Sequence, residues 1–353
     1  MPGMQELLRY VRDNRGSDLH LVAGLEPRIR RDGALEAVPG WPVLDPARLL
    51  ELLREIAADA HWEEFQRSHD VDFAYGIEGV GRFRVNYFYQ QNGAGAVLRL
   101  IPEVITTLEE LNLPKAIGEL AHVRSGLILL TGPTGCGKST TLAAVIDRIN
   151  STYAKHIVTI EDPVEFVHRN RQCRISQREV GSDTESFSAA LRAAIRQDAD
   201  VILVGEMRDL DTIALALTAA EMGAVVFGTL HTNGAINTID RLIDVFPAQE
   251  QPQVRTTLAE SLAAVVSQLL LRSADGRGRC AVVEVLLKTA GLPNIIREGN
   301  TPMIQTLMQG GRALGMQLMD DALAAMVEAK RVTPREAYMK ATDKARFENL
   351  IED

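Results

Sequence analysis

The feature that most constrains the fold is a glycine-rich loop between an apolar run and a helical segment. Gly132-Pro-Thr-Gly-Cys-Gly-Lys-Ser-Thr140 contains the pattern G-x-x-x-x-G-K-[ST]. It follows the apolar run Gly126–Thr131, which predicts a buried strand, and precedes Thr141–Ile149, which predicts a helix. A strand, such a loop and a helix in this order predict a nucleoside triphosphate site in an α/β domain.

The residue types of this loop suit a triphosphate with its magnesium ion. Glycines let backbone N–H groups approach the phosphates, and the helix N-terminus adds the positive end of its dipole. Lys138 is predicted to reach the β- and γ-phosphates, and the Ser139 hydroxyl to hold Mg²⁺. The residues predicted to bind ATP are Gly132, Pro133, Thr134, Gly135, Cys136, Gly137, Lys138, Ser139 and Thr140.

Length and composition narrow the class of protein. A chain of 353 residues predicts about two domains. Its net charge of −9 argues against a nucleic-acid partner, because such binding depends on basic residues that neutralise phosphates. The three cysteines, Cys136, Cys173 and Cys280, form no Cys-x-x-Cys pair, so neither a zinc site nor a disulfide framework is predicted.

The N-terminus has no signal-peptide pattern, and no apolar run approaches the ~20 residues that span a bilayer. A cytoplasmic protein without a membrane span is therefore expected, and any membrane association would go through a partner.

Residues 1–101 are predicted to form a small α+β domain. Apolar residues have helical spacing in Met4–Asn14 and after Asp45-Pro46, and Asp32-Gly33 signals a hairpin turn. The strand candidates are Leu19–Val22, Pro27–Arg31, Val71–Tyr75, Gly81–Gln90 and Ala96–Ile101. Residues 102–114 are interpreted as a linker.

After Gly126 the pattern changes to alternating strands and helices, which is typical of a parallel sheet with crossover helices. Further strands are predicted at His156–Ile160, Val201–Val204, Val225–Leu230 and Arg279–Leu286, and helices at 186–196, 211–222, 235–244 and 252–271. An α/β core is therefore predicted over residues 115–290 and a helical region over 291–353.

Acidic residues follow two of these strands. Glu206 comes just after Val201–Val204, where a Walker B strand places a carboxylate beside the γ-phosphate. Gly205 occupies the position of the usual aspartate, so Glu206 is assigned to the activation of water. Glu161 and Asp162 follow the strand His156–Ile160 and are candidates for contacts to Mg²⁺, directly or through water, or else form a solvated acidic cluster.

One histidine and three arginines are further candidates. His231 follows the strand Val225–Leu230 and either contacts the γ-phosphate or is a structural residue. Arg82 and Arg84 lie two residues apart and share a strand face, and Arg99 lies on another strand. On spacing alone ordinary surface arginines are favoured over arginine fingers. Arg208 is expected to pair with Asp209.

Together these residues resemble the secretion and pilus ATPases of the PilT class, the retraction motors of type IV pili. The resemblance covers nearly the whole chain. Besides the phosphate loop, the matching segments are Gly16–Leu21, Gly81–Asn86, Gly93–Val97, His156–His168, Gln177–Val180, Val204–Asp209, Phe227–Asn233 and Gly315–Gln317.

The resemblance implies a PAS-like N-terminal domain joined to a RecA-like P-loop ATPase core. It implies a homohexamer that uses ATP and Mg²⁺, binds nucleotide between neighbouring subunits and pulls pilins from the fibre. The partner implied is an inner-membrane platform protein, so that the ring is peripherally associated with that membrane. A second retraction ATPase is a further candidate partner.

The resemblance also implies roles for the candidate residues. Lys138, Ser139 and Thr140 would hold the nucleotide, and Glu206 would activate water. Glu161 and Asp162 match an acidic box, and His231 matches a histidine box. The family context favours Arg82, Arg84 and Arg99 as arginine fingers that act on a neighbouring subunit.

The chain departs from the family pattern at three places. Ala199 replaces a proline before the strand Val201–Val204, and Ala224 replaces the first histidine of the histidine box. Gly291-Leu-Pro-Asn294 replaces an Ala-Ile-Arg-Asn segment that is tied to retraction. ATP hydrolysis is therefore a firmer expectation than retraction, and an accessory retraction paralogue is an alternative.

Three other functions are less favoured by the sequence. Assembly-side pilus or type II secretion ATPases usually carry a longer N-terminal extension and a four-cysteine zinc insertion, which this chain lacks. A RecA-like nucleic-acid motor is disfavoured by the net charge of −9. A nucleotide-sensing scaffold is disfavoured because Lys138 and Glu206 are both present.

Overall fold

The described part of the chain, in this computed structural model, comprises residues 3–31, 34–101, 104–276 and 278–351. It divides into a first unit, Met1–Val104 with Pro163–Val167, and a second unit, Ile105–Asp162 with His168–Asp353. The predicted hairpin turn at Asp32-Gly33 lies outside the described residues. In the described ranges each unit contains one sheet.

The first unit contains an antiparallel sheet of six strands in the order β3-β2-β1-β6-β5-β4. The strands are β1 (Asp18–Val22), β2 (Arg28–Arg31), β3 (Ala34–Ala37), β4 (Asp70–Ile77), β5 (Gly81–Gln90) and β6 (Gly93–Ile101). The helices are α1 (Met4–Asp13), α2 (Pro46–Arg54) and α3 (Asp59–Ser68).

Strand β5 shows how alternation builds this unit. Phe83, Val85 and Tyr87 are buried, while the intervening residues are partly exposed. The buried face packs with the helices in one core, and the Tyr87 hydroxyl donates a hydrogen bond to the Leu53 carbonyl at 2.8 Å. The α+β prediction is therefore confirmed, although helix α3 was not predicted.

The second unit contains a seven-stranded sheet in the order β13-β12-β7-β11-β10-β8-β9. The strands are β7 (Gly126–Thr131), β8 (His156–Glu161), β9 (Arg174–Glu179), β10 (Val201–Val204), β11 (Val225–Leu230), β12 (Leu262–Arg272) and β13 (Arg279–Leu287). Only β13 runs antiparallel to its neighbour in this sheet of described residues. The predicted α/β core with a parallel sheet is thus confirmed.

Hydrophobic side chains cover both faces of this sheet. On β7, Leu127 and Leu129 belong to one core, and Ile128 and Leu130 belong to the core on the opposite face. A strand that is buried on both faces has no polar side, which explains why these strands appear in the sequence as continuous apolar runs.

Helices flank the sheet and extend the chain beyond it. Around the sheet lie α4 (Lys115–Glu119), α5 (Lys138–Thr152), α6 (Phe187–Ala194), α7 (Leu210–Glu221), α8 (Ala235–Asp244) and α9 (Gln251–Ser261). The C-terminal helices are α10 (Leu292–Glu298), α11 (Met303–Gly310), α12 (Met319–Glu328), α13 (Pro334–Lys340) and α14 (Ala345–Glu348). The helical C-terminal prediction is confirmed. None of the helices in the described ranges is long and apolar enough to cross a membrane.

The predicted helix 252–271 is wrong in its second half. Helix α9 ends at Ser261, and the chain continues as β12, which pairs in parallel with β7 and antiparallel with β13. The run from Leu262 is almost wholly apolar, so neither helical nor strand periodicity is visible in it. Burial on both faces of the sheet decides its structure.

Candidate nucleotide-binding site

The candidate residues meet at one edge of the second sheet. Strands β7, β8, β10 and β11 are parallel, so their carboxyl ends lie at the same edge. Gly132, Gly205 and His231 directly follow β7, β10 and β11, and Glu161 is the last residue of β8. Open α/β sheets bind their ligands at this edge, which is where the sequence placed the site.

The phosphate loop joins β7 to α5, as predicted. Gly137 precedes the first residue of the helix with a φ of 89°, a left-handed conformation that favours glycine. Lys138 is buried, and its Nζ donates hydrogen bonds to the carbonyls of Gly132 at 2.7 Å and Pro133 at 3.2 Å. The ammonium group therefore lies against the loop that would hold the phosphates.

Other residues of the loop differ in their exposure. Pro133, Thr134 and Gly135 are exposed, as is Ser139, whereas Thr140 is partly exposed. Cys136 is buried, and burial raises the pKa of its thiol despite the opposing charge of Lys138. This thiol is therefore protonated at neutral pH, and only the backbone of Cys136 suits nucleotide binding.

The same loop can take a magnesium ion together with the phosphates. Mg²⁺ in phosphate sites is held by oxygen ligands, usually one or two carboxylates or hydroxyls besides the phosphates. Ser139 offers an exposed hydroxyl at the start of α5, and Glu161 offers a carboxylate at the end of β8. In the part of the chain that the structure describes, no group of three or more His, Cys, Asp or Glu residues could hold an ion. Phosphate oxygens and water would supply the remaining ligands.

Glu206 forms the centre of a charged cluster after β10. Arg208 holds both carboxylate oxygens, with Nε 2.6 Å from Oε1 and Nη2 2.6 Å from Oε2. His231 Nε2 lies 2.9 Å from Oε1. Glu206 and His231, predicted separately, are thus brought into contact.

This cluster sets the charge of Glu206. Burial alone would raise its pKa, but the hydrogen bonds and charge of Arg208, and then His231, outweigh that effect and lower it. Glu206 is therefore ionised at neutral pH and able to accept a proton.

The predicted pair between Arg208 and Asp209 is wrong. The Asp209 carboxylate instead caps helix α7, with Oδ1 accepting from the Thr212 N–H at 2.8 Å and Oδ2 from its hydroxyl at 2.8 Å. A capping carboxylate satisfies N–H groups that have no partner within the helix, so the guanidinium of Arg208 turns to Glu206 instead.

Gly205 lies where β10 packs closely against β8. A Cβ at this position would lie 3.1 Å from the Ile160 carbonyl oxygen and 3.3 Å from the Glu161 Cα. The aspartate that usually ends such a strand would therefore crowd the neighbouring backbone.

Glu161 is held by neighbouring polar side chains. Its Oε1 accepts a hydrogen bond from the Thr159 hydroxyl at 2.7 Å and from Gln177 Nε2 at 3.2 Å. Asp162 is exposed, and its charge contributes, after Glu206, to a raised pKa of Arg208. Asp162 therefore lies near the Glu206 cluster, while Glu161 is held by β8 and β9.

The three candidate arginines lie on the sheet of the first unit. Arg84 is opposite Arg99 in the register of β5 and β6, and Arg82 is two residues from Arg84, so all three share one face. Arg84 Nε lies 3.8 Å from Asp72 Oδ1, and Arg99 Nε donates to Asp18 Oδ1 at 2.8 Å. The predicted common face of Arg82 and Arg84 is confirmed.

Sequence reasoning missed two residues that contact the site. The sequence predicts that Arg208 pairs with its neighbour Asp209. Adjacency in sequence does not show that Asp209 caps helix α7, nor that Arg208 pairs with Glu206 instead. Gln268 was placed in a helix, although in the structure it lies beside the phosphate loop. The available signal was the polar pair Ser267-Gln268 inside an otherwise apolar run.

Comparisons with known proteins agree with this geometry. The family model of the type II/IV secretion system protein matches residues 4–350. The "Type IV pilus retractation ATPase PilT" of Pseudomonas aeruginosa is 48% identical over 336 residues, which cover 95% of this chain and 97% of that protein. The "Type IV pilus ATPase PilU" of the same organism is 40% identical, with 96% of this chain and 88% of that protein covered.

A solved structure is similar over the same extent. The crystal structure of the pilus retraction motor PilT with bound ADP superposes with a TM-score of 0.92 at 41% identity, covering 99% of this chain and 100% of that one. The match includes the phosphate loop, its sheet and the first unit. The chain belongs to the type II/IV secretion system protein family and is one of its P-loop ATPases.

Proposed function

We propose that this chain is the motor of type IV pilus retraction, working as a ring of six subunits that hydrolyse MgATP. One observation carries the proposal: the chain, which has Lys138 and the Glu206–His231 pair, aligns almost end to end with a retraction ATPase. Type II secretion ATPases of the assembly side are disfavoured by the same end-to-end match.

The geometry supports a separate role for each of the site residues. Lys138 would neutralise charge on the β- and γ-phosphates, while the loop N–H groups and the α5 N-terminus bind their oxygens. Ser139, with Glu161 directly or through water, would hold Mg²⁺, which stabilises charge on the phosphates. We take Asp162 as a further candidate for contacts to Mg²⁺ through water.

Glu206 would act as the general base. Its ionised carboxylate accepts the proton of the attacking water, and its contact with His231 lets the histidine orient the carboxylate or share that proton. Arg208 keeps the carboxylate ionised and fixed in position. The arginines Arg82, Arg84 and Arg99 would reach the γ-phosphate of a neighbouring subunit.

Larger features follow from the same proposal. We take residues 1–101 as the PAS-like domain, 102–114 as the linker, 115–290 as the RecA-like core and 291–353 as the helical region. The ring would act in the cytoplasm against an inner-membrane platform protein. A second retraction ATPase is a candidate partner, because a paralogous pilus ATPase is among the similar proteins.

Deletion of the gene in its source organism tests the direction of movement. Retraction predicts more surface pili and loss of twitching, whereas an assembly-side ATPase predicts no pili. An accessory paralogue predicts normal pilus number with weakened movement under load. Complementation with the wild-type chain should restore twitching, and the Glu206→Gln variant should not.

A further inference from the structure

The phosphate loop lies against a glutamine of the neighbouring strand. On β12, Ser267 is paired with Thr131, the last residue of β7, and Gln268 comes next. Gln268 is 1% exposed. Its Nε2 donates a hydrogen bond to the Cys136 carbonyl at 2.7 Å, and its Oε1 accepts one from the Thr141 hydroxyl at 2.9 Å. One buried amide thus joins the loop to the first turns of α5.

The orientation of this amide is determined by its partners. A backbone carbonyl only accepts hydrogen bonds, so the NH₂ group of Gln268 must face Cys136. The amide oxygen then faces the Thr141 hydroxyl, which donates to it. Any side chain that lacks an N–H at this point leaves the buried Cys136 carbonyl without this donor.

The loop also approaches the backbone and side chain of Gln268 closely. A Cβ on Gly132 would lie 2.2 Å from the Gln268 carbonyl oxygen, and a Cβ on Gly137 would lie 3.0 Å from Gln268 Nε2. Contact with Gln268 therefore requires glycine at position 132 and leaves little space at position 137, and both glycines also have positive φ angles.

The direction of the Cys136 carbonyl has a consequence for phosphate binding. The peptide bond is planar and trans, so the N–H of Gly137 points opposite to the Cys136 carbonyl. Because Gln268 draws that carbonyl toward β12, it turns the Gly137 N–H away from β12. Phosphate-binding loops work by pointing successive N–H groups at one anion.

We propose that Gln268 is a positioning residue for nucleotide binding: it holds the Cys136 carbonyl and Thr141, and so aims the loop N–H groups at the phosphates without touching them. The inference rests on the proposed binding of nucleotide at this loop. Strand β12 would then contribute directly to the nucleotide site as well as to the sheet.

Gln268→Met tests the proposal, because methionine has similar length and volume but no N–H. Loss of one hydrogen bond to a buried carbonyl predicts MgADP binding that is about 5- to 100-fold weaker, with a corresponding rise in KM for MgATP. Affinity is measured by titration with a fluorescent ADP analogue, well below the melting temperature of every variant. If the wild-type chain binds no nucleotide, the proposed function fails; if only the variant effect is missing, this proposal fails.

Gln251→Met is the matched control. Gln251 is partly buried, and, like that of Gln268, its Nε2 donates to one backbone carbonyl, that of Phe246, at 3.1 Å. It lies at the start of α9, outside the phosphate loop. The control should keep wild-type affinity for MgADP. An equal loss of affinity in both variants would show that any lost glutamine bond has this effect, and would overturn the proposal.

A second residue separates positioning from simple stability. Thr141→Val removes the other end of the same bridge and should weaken MgADP binding in the same direction, while Thr141→Ser, which keeps the hydroxyl, should restore it. Combined with Gln268→Met, Thr141→Val should weaken MgADP binding by less than the sum of the single effects, because both changes break one bridge.

If the variants lower only the nucleotide-free melting temperature and leave the MgADP Kd unchanged, Gln268 has a structural role alone. If Gln268→Met does not fold, the Thr141 pair decides.

Discussion

Glu206 differs from an isolated strand-end acid because two neighbours determine its charge and direction. Arg208 contacts both oxygens and His231 contacts one, so the carboxylate cannot rotate without breaking these bonds. Fixed direction and ionisation at neutral pH are the two properties that a general base for water needs.

The first prediction concerns Glu206→Gln. The amide cannot accept the proton of water, so kcat should fall by roughly 10²- to 10⁴-fold. The Kd for MgADP should stay near the wild-type value, because the phosphate loop is untouched. ATPase assays and nucleotide titration measure the two quantities. Glu221→Gln, on an exposed glutamate of α7, is the control and should retain full turnover. A kcat near that control would contradict the role of Glu206 as the base.

The second prediction concerns the pH dependence of turnover. Arg208 lowers the pKa of Glu206, so Arg208→Met should raise it. A base works only when ionised, and activity is therefore lost as pH falls through its pKa. The acid limb of the profile of kcat/KM against pH should move to higher pH in the variant. Arg346→Met, which removes an exposed ion pair to Asp321, should leave that limb in place. A shift to lower pH, or none, would mean that the limb reports a different group.

At the scale of elements, the sequence predicted strands well where their ends carried signals. Strands β10 and β11 have the predicted bounds, Val201–Val204 and Val225–Leu230, because Gly205 follows the first run and His231 follows the second. Strand β12 has no turn signal such as glycine or proline on its N-terminal side, since α9 leads into it directly. Its structure depends on pairing with β7, which is distant in sequence.

Only part of the site could be predicted from the sequence, because some of its contacts join segments that are distant in sequence. The phosphate loop is a local motif, so Lys138 and its neighbours were found directly. Glu206 and His231 were found as strand ends, but their contact follows from the parallel order β10-β11, which periodicity does not reveal. The ion pair of Glu206 with Arg208 depends on the capping of α7 by Asp209.

The third prediction tests how closely α9 and β12 approach β7. Gly126 opens β7 with a φ of +115°, and a Cβ there would lie 2.5 Å from the Ser261 carbonyl oxygen. Gly126→Ala should lower the free energy of unfolding by about 3 kcal/mol or more, since backbone strain and a clash add. Gly181→Ala is the matched control, because Gly181 has a φ of +89° but a Cβ there would meet no atom within 4 Å. The control should lose only about 1 kcal/mol, from backbone strain alone. Urea unfolding compares the two, and equal losses would contradict the close approach.

At the scale of the whole molecule, the arginine face of the first unit is the feature that the proposed ring assigns to a neighbouring subunit. Arg99 pairs with Asp18, a carboxylate that is otherwise buried. Burial would raise the pKa of Asp18, but hydrogen bonds from Ser17 and Arg99 outweigh it and lower that pKa. Removal of Arg99 would therefore disturb the first unit itself, and Arg82 is the better residue for a test of function.

The fourth prediction is that Arg82→Ala lowers turnover more than nucleotide binding. Part of the lost ATPase activity should return when Arg82→Ala subunits are mixed with Glu206→Gln subunits. A site needs Glu206 from one subunit and, under the proposal, Arg82 from its neighbour. Rings that mix Arg82→Ala with Glu206→Gln subunits contain some interfaces in which both residues are intact. With equal, random mixing about a quarter of the interfaces of a head-to-tail ring are of this kind, so up to about a quarter of wild-type ATPase activity should return. Neither variant alone should show this recovered ATPase activity.

The control for mixing is a chain that carries both changes. Arg82→Ala subunits mixed with this double variant contain no interface with both residues intact, so their activity should stay at the level of Arg82→Ala diluted by an inactive partner. If Arg82 acted within its own subunit, the first mixture would behave in the same way as this control, since every chain would lack one of the two residues. Recovery in the first mixture and not in the second would therefore place Arg82 and Glu206 on different subunits of one site, because only exchange between neighbours can combine them.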